Sequence, residues 1–376
     1  MREGWQIVKL GEVCKFQGGS QPPKSKFIDA PKEGYIRLLQ IRDFKSDKRA
    51  VYIPEAKKNR TCIETDIMIG RYGASVGQIH RGKAGAYNVA LIRTSPNENV
   101  IYKNYFYYFL ISSWFQNPLM NVAQRSAQAG FSKDDIHEFQ IPLPPPAEQE
   151  RIVSILDKAF EGIDKAIAQT EQNLASAREL FEGYLNNIFT QKGDDWVEKK
   201  LGDCIKLKSG DGLTAKNMNP EGCFNVYGGN GIAGLHDAYN TEGDHVIIGR
   251  VGALCGNARH LNENFWLTDN AFRVSEYHED FDLSFLTFLL NYKNLRSYAR
   301  QAAQPVVSNS SLKEVVFSFP LDVETQRLIA EKFDFLRRKK QQLEALYTQK
   351  LNDLKELKQS LLQQAFAGEL TKEDAA

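Results

Sequence analysis

Residues 147–191 contain no proline and only two glycines, Gly162 and Gly183. Continuous helix over that stretch covers roughly 60 Å at 1.5 Å per residue, far more than the three turns usual in globular domains. A stretch of the same character closes the chain near residues 323–368. What remains falls into two blocks, one before each stretch. The boundaries follow as a first block at 1–146, a central helix at 147–192, a second block at 193–321 and a final helix at 322–376. Proline marks both transitions: Pro142, Pro144, Pro145 and Pro146 precede the first helix, and Pro320 precedes the second, since a helix begins after proline more readily than it runs through it.

Each helix carries an apolar seam in one heptad frame. The first runs through Ile152, Leu156, Ala159, Ile163, Ala166, Thr170, Asn173, Ala177, Leu180, Tyr184 and Asn187. The second runs through Phe333, Leu336, Lys340, Leu343, Tyr347, Lys350, Leu354, Leu357, Leu361 and Gln364. Packing inside one larger domain is one outcome; their length and matching positions favour an antiparallel coiled-coil pair. Further apolar residues lie off the seam, including Ile155, Phe160, Phe181, Phe335 and Leu362. A two-helix coil cannot hide them all, so the blocks or another protein must cover them.

The two halves repeat. Trp5, Leu10 and Gly11 recur as Trp196, Leu201 and Gly202. Gly70-Arg71, Gly73 and Gly77 recur as Gly249-Arg250, Gly252 and Gly256; Gln128, Ser132 and Ile136 recur as Gln304, Ser308 and Leu312. Glu148 and Arg151 recur as Glu324 and Arg327, with Thr325 standing where Gln149 stands in the first copy, and Phe189 recurs as Phe366. Both blocks read as mixed α/β, with short β-rich runs between glycine turns. The fold class is therefore α+β, two pseudo-symmetric blocks and two long helices. The aromatic run holding Tyr105, Phe106, Tyr108, Phe109 and Trp114 has two readings, a base-stacking platform or helical core packing, and its spacing favours the core.

Charge divides the blocks where the chain's net +1 does not. Residues 1–146 hold 21 Lys and Arg against 13 Asp and Glu, whereas residues 192–320 hold 13 against 16. The first block suits a polyanion; charge alone does not nominate the second. The five cysteines, Cys14, Cys62, Cys204, Cys223 and Cys255, are odd in number and form no C-x-x-C pair, which reads as reduced core thiols in a cytosolic protein. No 18-residue apolar run or signal peptide is present, so neither a membrane span nor export is expected.

The motifs of catalysis are missing. Residues 77–84 approach a phosphate loop, but Ala84 stands where the magnesium-binding hydroxyl belongs. Gly70, Gly73 and Gly77 are wrongly spaced for dinucleotide binding and read better as a tight turn presenting a side chain. The six histidines form no i, i+4 pair, and there is no G-x-S-x-G elbow. No catalytic residue, metal ligand or cofactor site is expected.

Taken together, the tryptophan-led block starts, the G-R-x-G turns, Val226 to Ile232 with Gly234, the run Pro142 to Ile152, and Ser360 to Leu370 resemble the specificity subunit of a type I restriction–modification system over essentially the whole chain. The resemblance implies two target recognition domains, each reading half of a split, asymmetric DNA sequence, separated by antiparallel helices that fix the gap. It implies double-stranded DNA, two modification (methyltransferase) subunits and restriction (endonuclease/translocase) subunits as partners. S-adenosylmethionine, ATP and magnesium are then expected on those partners, and this chain is a non-catalytic subunit. A rival from another class is a double-headed coiled-coil adaptor for protein or carbohydrate. Major grooves on one duplex face recur about every 34 Å, within reach of a 60 Å spacer. The candidate DNA contacts are Ser20, Gln21 and Lys24 in the first glycine-rich loop, and Arg71, Tyr72 and Ser75 in the first G-R-x-G turn. Arg125, Gln128 and Lys133 come next, then Asn230 and Arg250, and finally Gln304, Ser308 and Asn309. Arginine pairs with guanine edges or phosphate and glutamine or asparagine with adenine, though the same groups also make structural salt bridges and cap turns.

Overall fold

The computed structural model describes residues 4–124, 130–193, 195–300 and 305–372. They form two compact units. The first holds the chain up to Thr170 together with the part from Gln349 onward; the second spans Glu171–Thr348. Each long helix, Pro146–Thr190 and Val323–Ala367, starts in one unit and ends in the other.

In the first unit the opening strand Gln6–Lys9 pairs antiparallel with Gln140–Leu143, the strand that leads into the central helix. Two sequence signatures far apart in the chain are thus neighbours in one ladder. Leu10 is fully buried, and a Cβ on Gly11 would lie 2.0 Å from the exposed His137 ring, so a larger residue there would displace that side chain. A four-stranded sheet follows in the order Cys14–Gly18, Leu91–Pro96, Ile67–Gly70, Ile79–His80. A second has the order Val51–Pro54, Tyr35–Leu39, Gly85–Tyr87, Thr61–Cys62. The helix Lys103–Ile111 fills the core: Tyr105, Phe106 and Phe109 are fully buried and pack with Ile152, Leu156 and Phe366. The aromatic run is therefore core; of its members, Trp114 alone stays 39 % exposed.

The second unit rebuilds the same plan. Trp196–Lys200 pairs with Val316–Pro320. The four-stranded sheet runs Ile205–Ser209, Ala271–Tyr277, Asp244–Gly249, Ala258–Asn262, and the smaller one Gly231–His236, Phe224–Gly228, Phe265–Leu267. Phe285 and Leu289 of the helix Leu283–Tyr292 occupy the core with Phe189 and Phe333.

Both long helices are fastened at their starts by a buried glutamine. Gln149 accepts from the Tyr102 N–H at 2.7 Å and donates to the carbonyls of Val100 (3.1 Å) and Pro144 (2.9 Å). Gln326 accepts from the Asp282 N–H at 3.0 Å and donates to Asp280 (3.2 Å) and Pro320 (2.8 Å). The counterpart of Gln149 is thus Gln326, not Thr325: the second copy has one more residue between its proline and the glutamine.

Within each unit the helix segments run antiparallel. In the first, Asp164 pairs with Lys358 and Glu148 accepts from Thr371; in the second, Arg178 meets Glu344 at 2.7 Å and Tyr184 packs on Phe333. Ile152, Leu156 and Ile163 are buried as a heptad seam requires, Phe333 is fully buried, and Tyr184, Leu336, Tyr347, Leu354 and Leu361 are half-buried. Three apolar seam residues are not: Leu180 is 76 %, Leu343 39 % and Leu357 46 % exposed. The inward positions are instead Phe181, Glu344 and Lys358, each one residue later. A strict 3.5 repeat drifts by about 20° per heptad against the 3.6-residue helix, so after a few heptads the frame points one residue astray. Among the off-seam residues, Leu362 is buried in the first unit's core.

Cys14, Cys62, Cys204 and Cys255 are buried, whereas Cys223 is exposed. Burial pushes the Cys14 thiol up to about 12 and the Cys62 and Cys204 thiols to about 11, so they sit as unionised core groups. Among the described residues no helix is long and apolar enough to cross a membrane.

Candidate nucleic-acid interface

Three segments converge at the same place in each unit. In the first they are the glycine-rich loop, the G-R-x-G turn and the segment before the short helix Lys133–His137. The Gly19 and Ser20 N–H groups donate to Leu91 and Tyr87, and the Arg71 N–H donates to Ala90. Tyr72 bridges to Gly130. The turn itself demands glycine twice over: a Cβ on Gly70 would lie 2.2 Å from the Ser75 carbonyl, and Gly73 has φ +57°. In the second unit the Arg250 N–H donates to Asn270, Val251 bridges to Val306, and the Val307 N–H donates back to Arg250. Gly252 has φ +101°, and a Cβ on Gly249 would lie 2.3 Å from the Gly229 carbonyl.

The equivalent arginines are held by backbone and ring, not by salt bridges. Arg71 donates from Nε to the Phe131 carbonyl at 2.7 Å, and its guanidinium lies 4.9 Å from the Tyr72 ring centre. Arg250 donates from Nη1 to the Asp269 carbonyl at 3.3 Å and lies 5.4 Å from the Phe272 ring centre. Neither makes an ion pair among the described residues. Each guanidinium thus keeps donors over to offer a ligand while helping to seat the segment that follows.

Several other candidates also make hydrogen bonds within the fold. Ser308 is a helix N-cap, accepting from the Ser311 N–H at 3.1 Å, as Ser132 accepts from Asp135 at 3.2 Å. Asn309 donates to the Leu207 carbonyl at 3.1 Å. Asn230 accepts from the Leu254 N–H at 2.9 Å, which ties the hairpin tip to the second G-R-x-G turn. Ser75 is half-buried in its own turn. Tyr72 is 39 % exposed, and Gln21, Lys24 and Lys133 are exposed. Ser20 and Gln21 line a cleft of roughly 220 Å³ that also takes in Lys26, Lys58 and Asn59, none of them picked out from sequence although the density of lysine between residues 24 and 58 signals them. Arg125, Gln128 and Gln304 lie outside the described residues. The near phosphate loop is no cradle: residues 79–80 are strand, and Lys83 is tied to Asp47 at 2.6 Å. Hydrogen bonds from Lys83 and Arg37 hold the Asp47 carboxyl down to about 2.

A family model described as the type I restriction modification DNA specificity domain matches residues 2–174 and again residues 193–355. The chain belongs to that family. The two matches coincide with the two copies of the repeat. Among curated relatives of this specificity family, the type I restriction enzyme EcoprrI specificity subunit of Escherichia coli is 30 % identical over 62 % of this chain and 60 % of its own length. The MjaVIII specificity subunit of Methanocaldococcus jannaschii is 22 % identical over 55 % of this chain and 51 % of its own. The chain therefore spans just over half the length of these relatives. The StySPI specificity subunit of Salmonella potsdam aligns at 21 % identity over 98 % of this chain and 90 % of its own. The fold is shared with a solved chain described under complex assembly and conformational transition of the type I R-M system, at a TM-score of 0.79 and 18 % identity over 98 % of this chain and 99 % of that one. It is shared less closely with the HsdS subunit of Thermoanaerobacter tengcongensis, at 0.57 and 18 % over 98 % of each. Membership of a DNA specificity family speaks for the recognition-domain reading and gives the adaptor reading no support.

Proposed function

We propose that this chain is the DNA-reading subunit of a type I restriction–modification enzyme, with each unit recognising one half of a split, asymmetric target and the two long helices setting the gap between the halves. The observation that carries the proposal is the doubling of one loop assembly on differently lined surfaces. The three converging segments recur in both units, yet the cleft beside them in the first holds Lys26 and Lys58, and that in the second holds no charged side chain. Two readers with one framework and two linings suit two different half-sites.

In this reading methylation and cleavage belong to other subunits. S-adenosylmethionine, ATP and magnesium bind there, and this chain contributes position and sequence choice. The modification subunits dock on helix surface left uncovered, where Leu180, Phe181, Tyr184, Phe335, Leu336 and Leu343 line an apolar groove of roughly 320 Å³ in the second unit. Exposed apolar surface of this kind marks interaction sites.

Sequencing of methylated adenines in DNA from cells expressing this chain with its modification subunit tests the proposal. The expected target is two unlike specified segments around a fixed unspecified gap. One continuous site, or a perfect palindrome, overturns it.

A further inference from the structure

The clefts beside the three converging segments in the two units differ in the forces available to them. In the first unit Ser20 and Arg60 flank one residue: the Ser20 N–H donates to the Tyr87 carbonyl at 3.1 Å, and the Tyr87 N–H donates to the Arg60 carbonyl at 3.0 Å. Lys26 and Lys58 line the cleft beside Ser20. Lys24, Lys26, Lys57, Lys58 and Arg60 are all exposed, and none makes an ion pair among the described residues. Residues 20–28 and 51–60 contain these five cations and one carboxylate, Glu55.

In the second unit a cleft between the hairpin tip and the G-R-x-G turn is lined by uncharged groups. This cleft, roughly 290 Å³, takes in Leu213, Met218, Ile232, Ala233 and Val251 with the amides of Asn230 and Asn270. The hairpin from Phe224 to His236 holds no Lys, Arg, Asp or Glu, and Ile232 at its tip is 61 % exposed. Four of this unit's lysines are occupied elsewhere: Lys192 pairs with Glu198 (3.2 Å), Lys200 with Glu314 (2.6 Å), Lys206 with Glu276 (2.5 Å), and Lys199 with Glu279.

We propose that the two units hold their half-sites with a different balance of forces, the first mainly through a cluster of unpaired cations on DNA phosphates and the second, with Lys216 and Arg250 as its cations near the cleft, mainly through uncharged contact, so that the larger part of the chain's share of the salt dependence arises in the first. This rests on the reading that each unit takes one half-site. Each phosphate neutralised on B-DNA releases condensed counterion and adds about 0.9 to the magnitude of the slope of log K against log salt. Contacts made by Ile232 or Met218 release none. The first unit therefore also governs encounter, because long-range attraction to the duplex acts on its surface.

The full chain, purified with its modification subunit, is titrated by fluorescence anisotropy between 50 and 300 mM KCl on two duplexes, each carrying one half-site. The wild type is compared with the exposed triple variant Lys26→Gln, Lys58→Gln, Arg60→Gln, whose thermal melting should match it. Identical modification subunits add equally to both slopes, so the difference belongs to this chain. One half-site duplex should show a slope steeper by about 3 or more, and the triple variant should flatten that slope alone by about 2.7. Equal wild-type slopes, or a variant that changes neither slope or both, overturn the proposal. Absence of binding to either duplex and to the full target at 50 mM overturns the DNA-reading assignment itself.

Discussion

A buried side-chain amide destabilises a fold unless each of its polar atoms is met. Gln149 and Gln326, both fully buried, meet that condition with one accepted and two donated hydrogen bonds each. They bind the first turn of a long helix to the start of the block helix and to the strand end before it. Gln149→Leu fits the volume but leaves the Tyr102 N–H and the carbonyls of Val100 and Pro144 unmet. With such groups costing about 1–3 kcal/mol each and partial relaxation, we expect a loss of about 3 kcal/mol for Gln149→Leu and for Gln326→Leu. Urea unfolding of each variant measures it. Thr325→Ala, at the half-buried neighbouring position, should cost under about 1 kcal/mol, and a loss as large as that of Gln326→Leu would refute the assignment. The sequence showed Gln149 but hid its partner, because one extra residue after Pro320 moves the second glutamine out of alignment. The candidate interface was legible to a similar depth. The turns of Arg71 and Arg250 were visible from glycine spacing. Ser308 and Asn230 were not separable from base contacts, since the hydroxyl or amide that caps a backbone N–H is the same group that reads a base.

At the scale of the element, the long helices were legible in existence, starting points and antiparallel sense, because proline punctuates their entries so clearly; the final helix ends at Ala367, short of the 376 expected. The inward face of the first helix was legible only as far as Ala177, whereas in the second Tyr347, Leu354 and Leu361 stay half-buried on the frame. The frame that starts at Ile152 holds through Ala177 and then yields to Phe181 in place of Leu180, as a 3.6-residue helix must when read with a 3.5-residue template. The consequence is functional. Leu180, 76 % exposed, and Phe335, 52 % exposed, stand on the groove that we assign to a modification subunit. Leu180→Asp removes apolar surface there without opening a cavity, so the melting temperature should fall by no more than about 2 °C, as surface changes usually do. Co-purification of the tagged chain with its modification subunit should drop at least tenfold. Undiminished co-purification would show that the subunit docks elsewhere.

For the whole molecule, the decisive fact is that the first unit joins two separate pieces of chain, so that each long helix is divided between the units. The first unit takes the start of the central helix and the end of the final one, and the second takes the remaining halves. Internal repetition made this arrangement readable in outline: Phe189 and Phe366, equivalent in sequence, pack in the cores of opposite units, on Phe285 and Tyr292 in one and on Tyr105 and Phe109 in the other. What repetition could not reveal is where each helix passes from one unit to the other, since that depends on packing along its length. Those crossings, near Thr170 and Thr348, are the places at which helix length can be altered without touching either core. One heptad inserted at both crossings adds roughly 10.5 Å to each helix and turns its face by only about 20°. At 3.4 Å per base pair the unspecified gap in the DNA target should grow by about three base pairs, while the specified bases of both halves stay the same. Sequencing of methylated adenines in cells carrying the lengthened chain reads both quantities at once. Retention of the original gap at full methylation would mean that something other than these helices sets the distance between half-sites. Altered half-site sequences would mean that the units do not read DNA independently of the helices that join them.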